Sequence, residues 1–538
     1  MLDQYDVFIS YRRKNGTLYA STLYGDLTES GFKVFWDMKD IAPGDDFEAT
    51  ITKAITDCSD FVCFLSEGSF DRYLGKPLKP ADDKDYVVFE INAAEKASSC
   101  HVIPCYIKGF TKPEDRKIAR IAGLKEFFAI EGMQVGDNLH DFKNALLKNL
   151  RFTKYQQLVQ DYYQTMIDPS FVQWESDFLI RTYSEEPSYV FAKIGDKQVP
   201  VVVFPASPLA TYPFKDMCRR EDLRLTDMMD LSPFQEQYPE YKFIVYPNVH
   251  HPHLVGYYLD GYEFDEAGRI KGLKVSTHKY VENIYTSHIL DYELYDVYKK
   301  THGDPKVTLK DFPLRQRIHA GKTLKDVIEN GVNRASLFSV QMAVISKNDE
   351  GEYEMAVMTR SENVAARPGF FQIAPAGGFE LFDLEATVDD PDERARIINK
   401  NFDVRMAVMR EYIEELFDGD DFDEAKGDDD WNRLKDDPHF LEVKHLIETG
   451  KASFEFLGVA VDLLSLRPEL SFMLLIDDPK YSKKHLFKNC EAKRIERMPL
   501  QDVEDLMLHS AKVVTGSQGL FYLLKQNKKY QEIEQKQK

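Results

Sequence analysis

The stretch YDVFISYRR, residues 5–13, opens the chain with an apolar run that ends in serine, tyrosine and two arginines. Residues 6–10 predict a short buried strand, and the helical periodicity of residues 18–29 predicts that a helix follows it. The alternation continues to residue 150, with strands predicted at 32–36, 61–65, 101–107 and 126–129 and helices at 47–56, 87–97 and 139–150. Alternating strands and helices predict a parallel sheet with helices on both faces.

Ligands of such a sheet bind where its strands reach their carboxyl ends. The loops after the first three strands should therefore lie at one edge, beside the start of the helix that contains DYVVFEI, residues 85–91. In that helix Tyr86 and Glu90 are four residues apart, so they share one face. A ring that can stack on a heterocycle, beside an acid that can stabilise a cationic sugar, suits cleavage of a glycosidic bond to a nitrogen base.

The composition limits the class of protein. The chain has 538 residues, enough for about two to four domains, and a formal net charge of −21, which argues against nucleic acid or anionic membranes as partners. Six scattered cysteines without a CxxC pair argue against a disulfide framework or a zinc site and favour the cytoplasm. The sequence shows neither the pattern of a signal peptide nor an apolar run long enough to span a membrane, so neither feature is expected.

The first 150 residues resemble TIR domains, and they match in four segments that follow the family's order. These segments are YDVFISYRR (5–13), GFKVFWDMKDIAPGDDF (31–47), DFVCFLSEGSF (60–70) and DYVVFEINAAE (85–95). The resemblance implies a flavodoxin-like α/β fold. It is closest to the TIR domains that cleave NAD, among them bacterial defence effectors, because adaptor TIR domains often lack the helix glutamate.

The resemblance also implies roles for individual residues. Glu90 would be the catalytic acid, and Tyr86 would stack on the substrate where the family more often has tryptophan. The other substrate-binding residues would be Arg12 and Arg13 near the phosphates or ribose, Phe47 in the loop that gates the site, and Ser66 in the loop after the third strand. Outside this motif, a single glutamate or a pair of arginines would be interpreted as surface charge.

The chemistry of NAD cleavage fits such a small set of groups. Nicotinamide in NAD is already a cationic leaving group, so no general acid is needed to expel it. The protein must stabilise an oxocarbenium-like ribosyl centre and exclude competing water, and one ionised carboxylate near the ribose hydroxyls can do this. Attack by water gives ADP-ribose, whereas attack by an adenine nitrogen gives a cyclic ADP-ribose.

A second resemblance lies in the C-terminal half. The segments APAGGFE (374–380) and REYIEE (410–415) resemble a split Nudix box, with residues 388–403 interpreted as an insertion and Phe417 standing where the family has a glycine. The resemblance implies ligand binding by Gly377, Gly378 and Glu380, and Mg²⁺ binding by Glu411, Glu414 and Glu415, which share one helical face. Hydrolysis, ligand sensing without hydrolysis, and an ordinary glutamate-rich helix all remain open.

The sequence therefore predicts three parts: a TIR domain at 1–152, an α+β middle segment of unknown type at 153–334, and a Nudix-like α/β/α domain at 335–530. The histidines at 250, 251 and 253 are interpreted as loop or core residues, and the acidic stretch 418–437 as a solvated loop. Strands are predicted at 189–204, 242–246, 254–262, 270–276, 339–346, 353–360, 454–463, 469–476 and 493–498, and helices at 213–229, 281–299, 404–417 and 516–526.

Taken together, these features predict an NAD⁺ nucleosidase, or as a variant an ADP-ribosyl cyclase, that a signal bound by the Nudix-like half controls. The expected partners are NAD, an activating nucleotide-type ligand or phage-derived trigger, and further copies of the chain through the TIR domains. The resemblance implies anti-phage defence by NAD depletion. The alternative is a TIR interaction module joined to a Mg²⁺-dependent nucleoside-diphosphate pyrophosphatase or ligand-binding domain.

Overall fold

We describe a computed structural model of the chain. The description covers residues 5–29, 31–41, 46–70, 85–97, 100–113, 124–136, 139–151, 155–208, 223–245, 249, 254–361, 367–381, 390–417, 430–487 and 492–537. The chain forms two compact units: the first is Met1–Asp161 with Tyr238–His251, and the second is Tyr162–Gln237 with Pro252–Lys538. None of the described helices combines the length and the apolar character needed to cross a bilayer.

The first unit is built on a sheet of five parallel strands, as the alternating pattern predicts. The strands are β1 (Val7–Tyr11), β2 (Val34–Phe35), β3 (Asp60–Leu65), β4 (His101–Ile107) and β5 (Met133–Val135). Their order is β2-β1-β3-β4-β5, which is flavodoxin-like and places the switch point between β1 and β3. Both of these strands are buried along their whole length, since helices cover the two faces. The helices are Arg13–Glu29, Asp37–Asp40, Phe47–Asp57, Tyr86–Lys96, Leu124–Phe127, Leu139–Asn149, Gln156–Met166, which continues into the second unit, and Lys242–Val245.

Two strand predictions for this unit are wrong. Residues 126–129 belong instead to the short helix Leu124–Phe127 and its end, and the fifth strand follows at Met133–Val135. Leu124, Phe127 and Phe128 are all buried, which is the spacing of one helical face, but four residues are too few to reveal that period. Residues 242–245 are likewise helical rather than extended.

The helix Lys242–Val245 lies in a stretch that is part of the first unit, although the sequence before and after that stretch belongs to the second unit. We call Tyr238–Val245 the returning segment. Its Lys242 is buried, and the ammonium donates to the Asp6 carboxylate and to the Gly31 carbonyl oxygen at 2.9 Å. The ring of Phe243 stacks on Tyr155, with ring centroids 3.5 Å apart. Asp6 also accepts the Lys33 N–H at 2.7 Å, so one carboxylate joins the starts of β1 and β2 to the returning segment.

The second unit contains a mixed sheet of nine strands and a separate two-stranded ribbon. Seven strands follow the order β12-β11-β10-β15-β14-β7-β6, while β13 pairs with β10 and β16 with β11. The strands are β6 (Val190–Ile194), β7 (Lys197–Pro205), β8 (Val255–Phe264), β9 (Ile270–Lys279), β10 (Ser339–Lys347), β11 (Tyr353–Arg360), β12 (Phe371–Ile373), β13 (Ala376–Gly378), β14 (Ala452–Asp462), β15 (Arg467–Ile476) and β16 (Ala492–Pro499). β8 and β9 form the ribbon, which confirms the predicted hairpin.

The units differ from the three predicted parts because strand pairing crosses the predicted boundaries. β7 pairs with β14, so strands of the predicted middle segment extend the C-terminal sheet instead of forming a domain of their own. The returning segment, which lies within the same predicted middle segment, joins the first unit. The boundaries at 152/153 and 334/335 therefore do not coincide with those of the two units.

Helices cover the nine-stranded sheet, and the core lies between its strands and the helices Leu500–His509 and Thr515–Gln526.

The predicted helix 281–299 contains a π-helical stretch at Ile284–His288, and residues 223–229 are not helical in the structure. The remaining helices of the unit are Pro169–Tyr183, Ser232–Gln237, Tyr280–Asn283, Ile289–Thr301, Leu309–Asp311, Pro313–His319, Leu324–Asn330, Pro391–Asn401, Val404–Phe417, Asp430–Asp436, Pro438–Glu448, Pro479–Ser482 and Lys528–Gln537. The predicted loop at 418–437 thus contains a helix, while residues 418–429 lie outside the described part.

Candidate active site

Glu90 lies at the carboxyl edge of the parallel sheet, as its motif predicts. The helix Tyr86–Lys96 begins after Asp85, whose carboxylate accepts the Val88 N–H and so caps the first turn. One turn further on, the Glu90 side chain turns inward and the residue is only 7% exposed. Ser10, on β1, donates its hydroxyl to Glu90 Oε2 at 2.6 Å. The sheet and the helix therefore hold this carboxyl group from two sides.

Burial changes the acidity of Glu90. The pKa of Glu90 is raised from its ordinary value of 4.5 to about 8, mainly by burial and also by the nearby carboxylates of Asp37 and Asp85, while the Ser10 hydroxyl and Arg12 act in the opposite direction. The carboxyl group consequently keeps its proton at neutral pH when nothing is bound. A cationic group brought close to it would favour the ionised form, so this acid is poised to respond to a positively charged ligand.

Arg12 lies at the same edge but contacts protein groups. Its guanidinium donates to both Asp85 oxygens, at 2.8 and 2.7 Å, and to the carbonyl oxygen of Ser69. Because Asp85 caps the helix that carries Glu90, Arg12 fixes the start of that helix to the loop after β3. Its predicted contact with phosphate or ribose stays a prediction.

The other predicted substrate contacts differ in exposure. Arg13 is largely exposed and pairs with Asp37 at 2.7 Å. Tyr86 is 41% exposed at the rim, and its ring meets the edge of Phe47 with centroids 4.6 Å apart. Ser66 is buried, and its N–H donates to Ser69 Oγ at 2.8 Å, so it shapes the loop after β3. The structure thus groups Tyr86 with Phe47 at the start of the helix that carries Glu90 and leaves Arg13 exposed to solvent.

Two residues of the candidate site were not predicted from the sequence. Ser10 is part of the opening motif, yet only the pairing of β1 with β3 and the helix position show that its hydroxyl reaches Glu90. Asp85 stands directly before the observed helix, which starts one residue earlier than the predicted helix 87–97, and an aspartate at that position is a recognised capping signal. Its pairing with Arg12 spans 73 residues and carries no local signature.

The glycines of the second predicted site lie against the helix Val404–Phe417. A Cβ atom added to Gly377 would fall 2.0 Å from Glu411 Oε2, so a larger residue there would require the Glu411 side chain to move. Arg410 donates to the Gly378 carbonyl oxygen at 3.0 Å and to Glu411 at 2.7 Å. The predicted glycine strand and the predicted acidic helix are therefore in direct contact.

The carboxylates of the predicted acidic helix contact other groups of the protein. Glu415 accepts the Ala376 N–H at 3.0 Å, and Arg410 Nε lies 3.8 Å from Glu414. The backbone of Glu380 forms an isolated antiparallel bridge with Gly256, on β8. Within the described ranges, no group of three or more acidic, histidine or cysteine side chains is placed to hold a metal ion. An arginine between the glutamates does not suit a divalent cation, so we derive no step through Mg²⁺. The three histidines at 250, 251 and 253 lie outside the described residues.

Comparison with known proteins supports the assignment of a TIR domain to the first unit. Residues 7–134 match the family model of the TIR domain. The chain is 31% identical to NAD(+) hydrolase sarm1 of Drosophila melanogaster over 145 residues, 27% of this chain and 10% of that protein. It is 30% identical to NAD(+) hydrolase tir-1 of Caenorhabditis elegans over 154 residues, 28% of this chain and 14% of that protein. The matches therefore span a tenth to a seventh of these relatives. The first unit contains a TIR domain with the predicted parallel sheet.

The similarity of this chain to the solved structures of Nudix hydrolases is remote. A NUDIX hydrolase from Alicyclobacillus acidocaldarius is 16% identical, with 32% of this chain and 82% of that chain covered and a TM-score of 0.19. A score this low establishes no fold. The Nudix-like assignment of the C-terminal half stays a prediction.

Proposed function

We propose that the first unit is an NAD⁺ nucleosidase that releases nicotinamide together with ADP-ribose or a cyclic ADP-ribose. The observation that carries the proposal is the buried Glu90, held by Ser10 at the carboxyl edge of the sheet. This edge, at the β1/β3 switch point, is where ligands of flavodoxin-like sheets bind. The similarity to two NAD(+) hydrolases supports the same reaction.

Cleavage breaks the bond between the ribose C1′ and the pyridinium nitrogen, and the electron pair of that bond leaves with nicotinamide. The positive charge passes to the ribosyl ring, where the Glu90 carboxylate stabilises it. Tyr86 and Phe47 offer rings on which a heterocycle can stack, and the exposed Arg13 can reach the diphosphate. Water then adds to C1′ and loses a proton to solvent, or an adenine nitrogen adds in its place.

The proton on Glu90 couples this chemistry to binding. With a pKa of about 8, the carboxyl group is mostly neutral at pH 7 before NAD arrives. The cationic nicotinamide ribose lowers that pKa when it docks beside the acid, so binding releases a proton and creates the carboxylate that the reaction needs. Glu90 should therefore be ionised, as the reaction requires, mainly when a cationic substrate is bound beside it.

We further propose that the second unit controls this activity, because the chain passes from the second unit into the first and back through the returning segment. A nucleotide-type ligand or a phage-derived trigger would bind the second unit, and assembly of several chains through their TIR domains would complete the active form. NAD depletion would then serve anti-phage defence in the cytoplasm. A ligand can switch such an activity only by binding the active form more tightly.

The test is a mass-spectrometric product profile of the full chain incubated with NAD, with and without Mg²⁺. We compare the wild type with Glu90→Gln and with Glu95→Gln, the same change further along the same helix. Nicotinamide that disappears only with Glu90→Gln supports the proposal, and the second product distinguishes hydrolysis from cyclisation. Mg²⁺-dependent AMP without nicotinamide would favour a pyrophosphatase in the second unit. Intact NAD in every sample would rule out cleavage without a trigger and would leave either a missing activator or an interaction module.

A further inference from the structure

Two cysteines of the first unit lie in contact. The sulfur atoms of Cys58 and Cys100 are 3.3 Å apart, although 42 residues separate them in the sequence. Cys58 is fully buried at the end of the helix Phe47–Asp57, where its thiol also approaches the Ile55 carbonyl oxygen at 3.1 Å. Cys100 is half-buried directly before β4 and is therefore the more accessible of the two.

The other two described cysteines of this unit provide a contrast. Cys63 and Cys105 are fully buried in β3 and β4, and burial raises the pKa of Cys63 to about 12 and that of Cys105 well above its ordinary value. Thiols of this kind are poor nucleophiles because the thiolate is the reactive form. Contact with a partner sulfur and access for an oxidant therefore coincide at Cys100, and the fully buried Cys58 is the sulfur in contact with it.

The pair joins the far ends of the two helices that form the rim of the candidate site. The helix that ends before Cys58 starts with Phe47, and the helix Tyr86–Lys96 ends just before Ala97, whose carbonyl oxygen accepts the Cys100 N–H at 2.9 Å. At their near ends, Phe47 and Tyr86 are in edge-to-face contact, which leaves no room for a third ring between them. A heterocycle can enter there only if the two helices move apart.

We propose that Cys58 and Cys100 are a modification site at which a peroxide forms a disulfide that restrains these helices and slows the proposed NAD cleavage. The Cys100 thiolate attacks one peroxide oxygen and becomes a sulfenic acid, and the other oxygen leaves as water. The Cys58 sulfur then attacks the sulfenic sulfur and expels a second water. Two thiols lose two electrons and two protons, and one hydrogen peroxide is reduced to two waters.

The site suits a reducing compartment, where disulfides are usually transient and serve sensing. The effect on turnover rests on the proposed function, whereas formation of the bond does not. The restraint acts on the opening between Phe47 and Tyr86 and does not touch Glu90, so it should lower turnover without removing the catalytic group. A reductant should restore the original rate.

The experiment treats the full chain, first fully reduced, with hydrogen peroxide and follows it by peptide mapping, melting temperature and NAD turnover. We expect a cross-linked peptide containing Cys58 and Cys100, a melting temperature higher by several degrees, and turnover several-fold lower that dithiothreitol restores. Cys100→Ser and Cys58→Ala should each abolish all three changes. Cys105→Ala, which removes a buried thiol from the same unit, should retain them.

The outcomes separate this inference from the proposed function. Absence of the Cys58–Cys100 peptide in the folded, oxidised wild type would overturn the modification site. A cross-link with unchanged turnover would overturn the restraint. If no sample cleaves NAD, the chain has no activity without a trigger, while the cross-linked peptide and the melting temperature still decide whether the disulfide forms.

Discussion

The two units present glutamates on helices in opposite ways. In the first unit, Glu90 is buried and hydrogen-bonded by a neutral serine hydroxyl, while the neighbouring Arg12 is paired with Asp85. In the second unit, Arg410 lies directly against Glu411, and Glu415 holds a backbone N–H of the glycine strand. Burial without a directly paired cation keeps the first acid titratable near neutral pH, whereas Glu411 and Glu415 of the second unit are held by contacts with protein groups.

The largest expected effect is the loss of activity in Glu90→Gln. If Glu411→Gln lost activity instead, the contrast between the two units would be wrong. Glu90→Gln keeps the Ser10 hydrogen bond but cannot carry negative charge, so nicotinamide release should fall by about 10³-fold, the order of an electrostatic stabiliser lost from a reacting centre. Glu411→Gln should leave that rate unchanged. Steady-state assays of nicotinamide on both variants check this, and a loss confined to Glu411→Gln would transfer the chemistry to the second unit.

The second prediction concerns stability of the second unit. Arg410→Met removes the cation against Glu411 and leaves a buried carboxylate without its partner, which should cost about 3 kcal/mol of unfolding free energy. Urea denaturation followed by a probe in the second unit measures the change. The double variant Arg410→Met/Glu411→Gln should recover much of the lost stability. If the single and the double variant were equally stable, the unpaired Glu411 carboxylate would not be the cause of the loss.

The third prediction uses the acidity of Glu90. Its pKa rises from about 4.5 in the unfolded chain to about 8 in the folded one, so between these values the unfolded chain releases a proton that the folded chain keeps. Rising pH therefore destabilises the wild type, and Glu90→Gln, which does not titrate, should become the more stable by about 4 kcal/mol at pH 8 but not at pH 4. Melting curves across this range test it, and parallel curves for both proteins would contradict the raised pKa.

The smallest expected effect is at the exposed rim. Tyr86→Ala removes a stacking surface, so KM for NAD should rise about tenfold while kcat changes less. Tyr86→Phe keeps the ring and serves as the control, with kinetics close to the wild type. A loss in kcat alone would instead place Tyr86 among the groups that act on the transition state.

Local patterns were sufficient for much of this structure. Apolar runs located β1, β3 and β4, and the spacing of Tyr86 and Glu90 located the acid of the candidate site. The hydrogen bond from Ser10 to Glu90 depends on strand order and register across 80 residues, which no local pattern contains. The short β5 was missed because three residues of mixed exposure carry no clear period. Pairing of β7 with β14 was equally invisible, because it joins segments about 250 residues apart.

The returning segment also determines how the protein can be divided. Residues 238–251 complete the first unit, so no single cut in the chain separates the two units cleanly. A fragment that ends at residue 161 keeps Asp6 and Tyr155 but loses Lys242 and Phe243, which leaves the buried Asp6 carboxylate without its ammonium and the Tyr155 ring without its stacking partner. We therefore expect that adding residues 238–251 as a separate peptide restores stability that the shortened fragment lacks.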